Sequence, residues 1–185
     1  MTDVLDAIHE DHANMAKMLD ALERQLAVFD AGETPDYDIV RGVVDYCLGY
    51  PDLYHHPKED LVFERLRAVD PAAAAAVGDL PGEHAELAVL TRRLEAAVEA
   101  VLGDLEVPRR RFEATLREFL DTTRRHMTME ERAFLPAARR ALSAADLVQI
   151  QDRIDHPGDP LFGAPGEERF AALRQDILDW AEDGG

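Results

Sequence analysis

Two histidine–glutamate pairs of identical spacing, His55/Glu59 and His126/Glu130, indicate the chemistry open to this chain. Residues four apart in a helix lie one turn above each other on the same face, so each pair aims an imidazole nitrogen and a carboxylate at one region of space. Such a pair can grip one cation or help to bridge two. A single His-x-x-x-Glu carries little weight, because the same pair is common on solvated helix faces. Here it is doubled. His55, Glu59 and Phe63 recur as His126, Glu130 and Phe134 at a constant offset of 71 residues, and a further histidine precedes each pair, His12 by 43 residues and His84 by 42. Each half of the chain is therefore one helix bearing a His followed by a second bearing His-x-x-x-Glu. Two such hairpins packed antiparallel about a pseudo-two-fold axis bring His12, His55, Glu59, His84, His126 and Glu130 toward one another.

Four imidazoles and two carboxylates, with no thiolate, suit iron, manganese or zinc, and the carboxylates can bridge two ions. Six protein ligands shared by two ions leave coordination positions open, unlike a closed tetrahedral zinc site. Open positions admit a small ligand such as dioxygen, nitric oxide, hydroxide or azide. The competing explanation is a buried network of satisfied His–Glu pairs, which is demanding to complete.

The elements that must position these groups are helices. Leu5, Ile8, Met15, Leu19, Leu22 and Leu26 recur at steps of three and four with His12 in the gap, and a loop with Gly32, Thr34 and Pro35 ends the segment. A second segment runs from about Tyr37, with Asp36 or a neighbour as its cap, to Val69. Val40, Val44, Leu48, Val62 and Leu66 form its seam, which passes through His55 and Glu59, and Pro51 and Pro57 are expected to kink or split it. Asp70 and Pro71 open an alanine-rich connection with room for a short helix. A third helix fits Leu80 to Leu102 with His84 on its seam. Gly103 to Pro108 turns the chain into a fourth helix, where Phe112, Leu116, Phe119, Thr123, His126, Glu130, Ala133 and Ala137 keep register. The fold class that follows is all-α: an antiparallel up-down-up-down four-helix bundle over residues 1–142. Residues 143–185 form a C-terminal helical extension packed on it, with a short helix capped by Ser143, a loop over 155–166, and an amphipathic helix from about Glu167 to Trp180 that buries Leu173, Ile177 and Trp180.

Composition agrees with this and narrows the partners. The chain has 185 residues, enough for one domain with a core, and is rich in helix-forming Ala, Leu, Glu and Arg. A formal net charge of −18 disfavours nucleic acid and anionic membrane surfaces as partners. Arg109 to Arg111 and Arg124 to Arg125 are the dense basic spots, where solvent exposure or intrahelical pairing is the ordinary role. No apolar run reaches the roughly 20 residues of a membrane span, and an opening with Thr2, Asp3 and Asp6 is unlike a signal sequence, so a cytoplasmic protein is expected. Cys47, the single cysteine, excludes an internal disulfide and is expected to be a small core residue.

From about Val4 to Leu142 the chain resembles the hemerythrin family, whose bacterial members are called HHE cation-binding domains. The resemblance is carried by Glu10-Asp11-His12, by the run from His55 to Phe63 with its His55-His56-Pro57-Lys58-Glu59 core, by Glu83-His84, and by His126 to Pro136 with Glu130-Glu131. It implies a non-haem di-iron centre with His12, His55, His84 and His126 as terminal ligands and Glu59 and Glu130 as bridges. One departure stands out: the oxygen-carrying members have a second His one turn after the first on the third helix, where this chain has Ala88. His56 is the leading substitute and His9 the second, with an exposed or outer role weighed slightly above ligation for both. Tyr54 is expected to pack, and His156 lies outside the repeat. Glu83, Asp60 and Glu131 are placed to accept hydrogen bonds from metal-bound imidazoles. Phe63, Phe134, Met15, Met127 and Met129 could line an apolar pocket over the centre or be ordinary core.

These residues favour a binding protein for dioxygen or a related diatomic such as nitric oxide, serving sensing, storage or protection, over an enzyme. The alternatives are a di-iron redox enzyme or iron donor acting under nitric oxide or peroxide stress, and a regulatory protein whose stability follows metal occupancy.

Overall fold

The computed structural model describes residues 3–103, 105, 107–154, 159–162 and 168–182, with side chains through residue 179. Helix α1 (Val4–Asp30) opens at Asp3, whose carboxylate accepts from the Leu5 and Asp6 amides, and α2 (Tyr37–Gly49) opens in the same way at Asp36. These caps satisfy amides that a helix start leaves without a partner. After α2 the chain makes a wide π-helical turn over Pro51–His55 and continues as α3 (His56–Val69). A short α4 (Pro71–Val77) ends at Gly78, whose φ of 107° lies in the region that glycine enters freely. Helices α5 (Leu80–Leu102) and α6 (Arg109–Met129) follow, then a second wide turn over Glu130–Phe134 that leads into α7 (Leu135–Ala141). The extension supplies α8 (Ala144–Gln151) and α9 (Ala171–Glu182).

Both wide turns precede a proline by two residues, Pro57 and Pro136. Proline cannot donate, and its ring would collide with the carbonyl four residues back in a regular helix. The backbone answers by adding a residue to the turn: the amides of His56 and Leu135 bond to the carbonyls of Pro51 and Glu130, five positions back. The expected kink near Pro51 and Pro57 is thus a widened turn that keeps the helix continuous, and Pro136 does the same to the fourth helix, which the hydrophobic rhythm alone presents as unbroken.

α1 packs on α2 and α6, and α5 packs on the same two, so the helices form a square with α1 and α5 at opposite corners. The core lies in two apolar clusters. One gathers Met15, Leu19, Val40, Val44, Leu94, Leu116 and Phe119, the other Leu5, Ile8, Val62, Phe63, Leu66, Leu80 and Phe134. Between Ile8 and Met15 on α1 stands His12, and between the clusters lies a belt of buried polar side chains. Cys47 is buried in the first cluster, as expected.

The extension covers the bundle. α8 starts at Ser143, which forms a reciprocal capping box with Asp146, and Arg65 of α3 reaches that same carboxylate. α9 packs on α1 and α2. Gly42 permits this, since a Cβ there would sit 3.3 Å from Leu173 Cβ. Leu173 is buried and Ile177 partly so, while Phe170 in the short turn before α9 is fully buried against Tyr46. Burying each such apolar side chain contributes about 1.5–3 kcal/mol. The Trp180 side chain and His156 lie outside the described residues. Arg124 pairs with Asp20 and Glu23 of α1 at 2.7 Å each, so this basic spot ties two helices together rather than pairing within one. No helix among the described residues is long and apolar enough to cross a membrane.

Candidate metal centre

The polar belt contains all six of the residues singled out by spacing. His12 comes from α1, His55 from the first wide turn, Glu59 from α3, His84 from α5, His126 from α6 and Glu130 from the second wide turn, and each is buried. Glu59 sends one oxygen to within 3.2 Å of His12 Nε2 and the other to within 3.4 Å of His55 Nε2 and His84 Nε2. Glu130 stands 3.3 Å from His12 Nε2, 3.4 Å from His84 Nε2 and 3.0 Å from His126 Nε2. The two carboxylates therefore sit in the middle, each reaching three imidazoles. The ring pairs His12/His55 and His84/His126 both meet edge to face with centroids 4.9 Å apart, which is the pseudo-two-fold symmetry of the repeat expressed in space.

Behind these groups runs a second circle of carboxylates. His55 Nδ1 faces Asp11 of α1 at 3.1 Å, His84 Nδ1 faces Asp60 of α3 at 2.9 Å, His126 Nδ1 faces Glu83 of α5 at 2.8 Å, and His12 Nδ1 faces Glu131 after α6 at 2.7 Å. Each helix of the square thus supplies the acid that orients the next helix's histidine, and the ring closes. Fixing Nδ1 leaves Nε2 as the lone-pair donor and aims it inward. Asp60, Glu83 and Glu131 were expected here. Asp11 was missed, although the repeat contains the signal: Asp11-His12 and Glu83-His84 are the same acid–histidine dipeptide in the two halves. Asp11 also accepts from Lys58 Nζ at 2.7 Å and from the Tyr50 hydroxyl at 3.2 Å. Burial raises its pKa, but His55 and Lys58 outweigh that and hold the carboxyl below its ordinary value.

The inner atoms are the ones left over. His12, His55 and His126 Nε2, both Glu59 oxygens and Glu130 Oε2 are buried without a hydrogen-bond partner among the described residues, since their close approaches lack hydrogen-bonding angles. Imidazole nitrogens and carboxylate oxygens converging in this way, with no thiolate, are donors that fit a pair of borderline or hard cations. Two groups have donor atoms within 4.8 Å of one another: His12, His55 and Glu59, and His56, Glu59, His84 and His126. Glu59 belongs to both.

Of the two histidines weighed as substitute ligands, His56, the leading one, is buried. His9 is different. Its side chain is 69% exposed and pairs with Glu131 at 3.0 Å, behind His12 rather than in the centre. Tyr54 packs against the first cluster. Among the five apolar residues expected near the centre, Met127 lines a cleft of about 400 Å³ between α1 and α6 that reaches His12 and is rimmed by Arg124, Glu131 and Arg132. Phe63 and Phe134 pack on each other in the second cluster, with ring centroids 6.1 Å apart.

Without cations the belt is held by protons. Burial lowers the His12 pKa, but Glu130 and Glu59 together outweigh it and lift the imidazole to about 11. Burial likewise opposes charge on His84, yet Asp60, Glu130 and Glu59 raise it to about 11. Burial and the neighbouring Glu130 push Glu59 up, and His55, His12 and His84 bring it down to about 2. At neutral pH His12 and His84 are therefore imidazolium in the metal-free chain, and each must lose its proton before Nε2 can ligate. Uptake of a cation pair at pH 7 is expected to release at least two protons, with affinity rising by about tenfold per pH unit for each proton expelled. Calorimetric titration with a divalent metal in buffers of different ionisation enthalpy measures the number, and a value near zero would contradict this electrostatic picture.

A family model described as "Hemerythrin HHE cation binding domain" matches residues 3–138. No curated protein and no solved structure matches the chain.

Proposed function

On the premise that the chain belongs to the hemerythrin HHE cation-binding family, we propose that it is a non-haem di-iron protein that takes up dioxygen or a related diatomic such as nitric oxide, for sensing, storage or protection. His12, His55, His84 and His126 act as terminal ligands and Glu59 and Glu130 as bridges. The observation that carries this reading is the convergence of buried imidazole nitrogens on two central carboxylates whose inner atoms, apart from Glu130 Oε1 beside His84 Nε2, have no hydrogen-bond partner among the described residues. Leaving such groups buried and unpaired costs several kcal/mol each, and a cation pair gives every lone pair a partner. Bound there, ferrous ions would supply the electrons and the open positions that a diatomic ligand needs.

The chain's own residues do the rest. The outer carboxylates hold four rings by Nδ1 in one orientation, so binding requires loss of protons from Nε2 but little movement of the rings. The two apolar clusters above and below the belt keep bulk water from its flanks. The cleft of about 400 Å³ beside His12 and Met127 has room for a small ligand next to one of the proposed metal ligands. We infer a binding protein rather than an enzyme, since every acid and base in the belt is committed to orienting or ligating.

Anaerobic loading with ferrous iron tests the reading. Two irons per chain and new ligand-to-metal charge-transfer absorption on admitting air or azide are expected. Fewer than two tightly bound ions, or an unchanged spectrum, would count against it. Rapid turnover of peroxide or nitric oxide by the loaded protein would transfer the centre to redox catalysis.

A further inference from the structure

The repeat is two-fold in six residues and broken in a seventh. His56 sits at a position whose counterpart, 71 residues on, is Met127. Met127 lines the cleft that opens beside His12, whereas His56 is 7% exposed and lies flat on His84, with ring centroids 4.4 Å apart and planes inclined by 15°. It is also 5.6 Å from the His55 ring and 6.0 Å from that of His126. One of its nitrogens lies within 4.8 Å of donor atoms from Glu59, His84 and His126.

Local backbone explains how two consecutive histidines turn inward. In a regular helix neighbours diverge by about 100°, so only one of them can face a seam. The extra residue of the Pro51–His55 turn shifts the register between α2 and α3, and His55 and His56 straddle the inward direction. His56 Nδ1 then points back to Asp52 at 3.5 Å, one turn earlier, which leaves Nε2 as the free nitrogen. Asp52 thus stands behind His56 from its own segment and at a longer distance than the 2.7–3.1 Å at which acids of neighbouring helices hold the other four rings. Asp52 Oδ2 is itself buried without a hydrogen-bond partner. A buried imidazole held in this manner beside two others has little reason to exist as packing, since an apolar side chain of similar volume would avoid the desolvation cost.

We propose that His56 is a metal ligand, the third imidazole of the cation also held by His84 and His126, and that it supplies from α3 what Ala88 cannot supply from α5. The assignment rests on the di-metal reading above and extends it. The two ions become unequal: one is held by His56, His84 and His126, the other by His12 and His55, with Glu59 and Glu130 between them. His12 of the two-imidazole ion lines the cleft of about 400 Å³ beside Met127, and His126 of the three-imidazole ion lines a second of about 320 Å³ beside Met129.

The test compares wild type with His56→Ala and His9→Ala, loaded anaerobically with ferrous iron, reading metal content, affinity and Mössbauer spectrum. Wild type is expected to hold two irons in distinguishable environments. His56→Ala is expected to hold one of them at least about 100-fold more weakly, beyond the 10–100-fold typical of losing an outer partner, while His9→Ala keeps both. Added imidazole should enter the space left beside His84 and restore the second iron to His56→Ala. Circular dichroism of the metal-free variant checks that it folds, and His56→Gln, which keeps bulk but offers a poorer donor, should lose the ion even if the alanine variant unfolds. If His56→Gln binds two irons with wild-type affinity and an unchanged spectrum, His56 is not a ligand. A wild type that binds no iron pair overturns the di-metal reading itself, and this assignment falls with it.

Discussion

Glu59→Gln is expected to reduce the chain from two bound ions to at most one and to weaken the second by more than about 100-fold, because a shared inner carboxylate must matter more than an outer partner. Glu59 is the one side chain common to both groups of converging donors, fully buried, with its two oxygens directed at His12 on one side and at His55 and His84 on the other. Glutamine preserves the shape but removes the charge and one acceptor, so only Glu130 is left to join the two ions. The metal-free variant carries a second signature. His12 is protonated in the wild type because Glu130 and Glu59 hold it so, and His84 because Asp60, Glu130 and Glu59 do; removing one of the two acids that face His12 leaves a buried imidazolium short of a partner, at a cost of about 3–5 kcal/mol for a broken buried pair. That cost is relieved when the imidazole discharges, so its pKa falls and the variant's deficit is larger at pH 6 than at pH 8. Metal analysis under anaerobic loading and chemical denaturation at the two pH values read both effects. Two ions bound as tightly as in wild type would remove Glu59 from the centre.

How far this could be read from the chain alone depends on whether each feature is local. The six inner residues were legible because helical spacing and a 71-residue repeat are properties of sequence, and the caps at Asp36 and Ser143 were legible for the same reason. Asp11 was harder. Its partners, His55, Lys58 and Tyr50, belong to another helix, and no spacing within α1 points to them. Only the likeness of Asp11-His12 to Glu83-His84 carried the information. Pro136 was overlooked because the apolar rhythm runs through it undisturbed; the backbone absorbs the proline by widening one turn, which rhythm cannot register. That same device decides His56. Spacing in a regular helix allows one of His55 and His56 to face inward and forces a choice, and the choice disappears once Pro57 has widened the turn before it. Phe170 escaped notice since its partner, Tyr46, lies on α2, far away in the chain.

Cation loading is expected to raise the melting temperature by roughly 8–16 °C for each ion present at about a thousandfold excess over its dissociation constant. This follows from about 4 kcal/mol of linkage stabilisation and about 2–4 °C per kcal/mol for a chain of this size. The reason lies in where the belt sits. The two apolar clusters do not merge but meet across a layer of five imidazoles and two carboxylates, so the bundle's middle is the place where hydrophobic burial contributes least. Protons on His12 and His84 balance part of the charge there, but a proton satisfies one lone pair while a cation satisfies several at once. Loading should therefore stabilise the belt first. Hydrogen exchange would show it as slowed amides around Pro51–His55 and Glu130–Phe134, the wide turns that carry His55 and Glu130, with little change in α9. The sign of the pH effect is fixed by the same groups: since the imidazoles must discharge to ligate, the metal-dependent gain shrinks as pH falls and grows as it rises toward about 11. A chelator should reverse the shift completely. Equal melting temperatures with and without bound metal would mean that the native state binds no cation in preference to the unfolded chain, and the convergence of side chains in the belt would then be a proton-balanced core and nothing more.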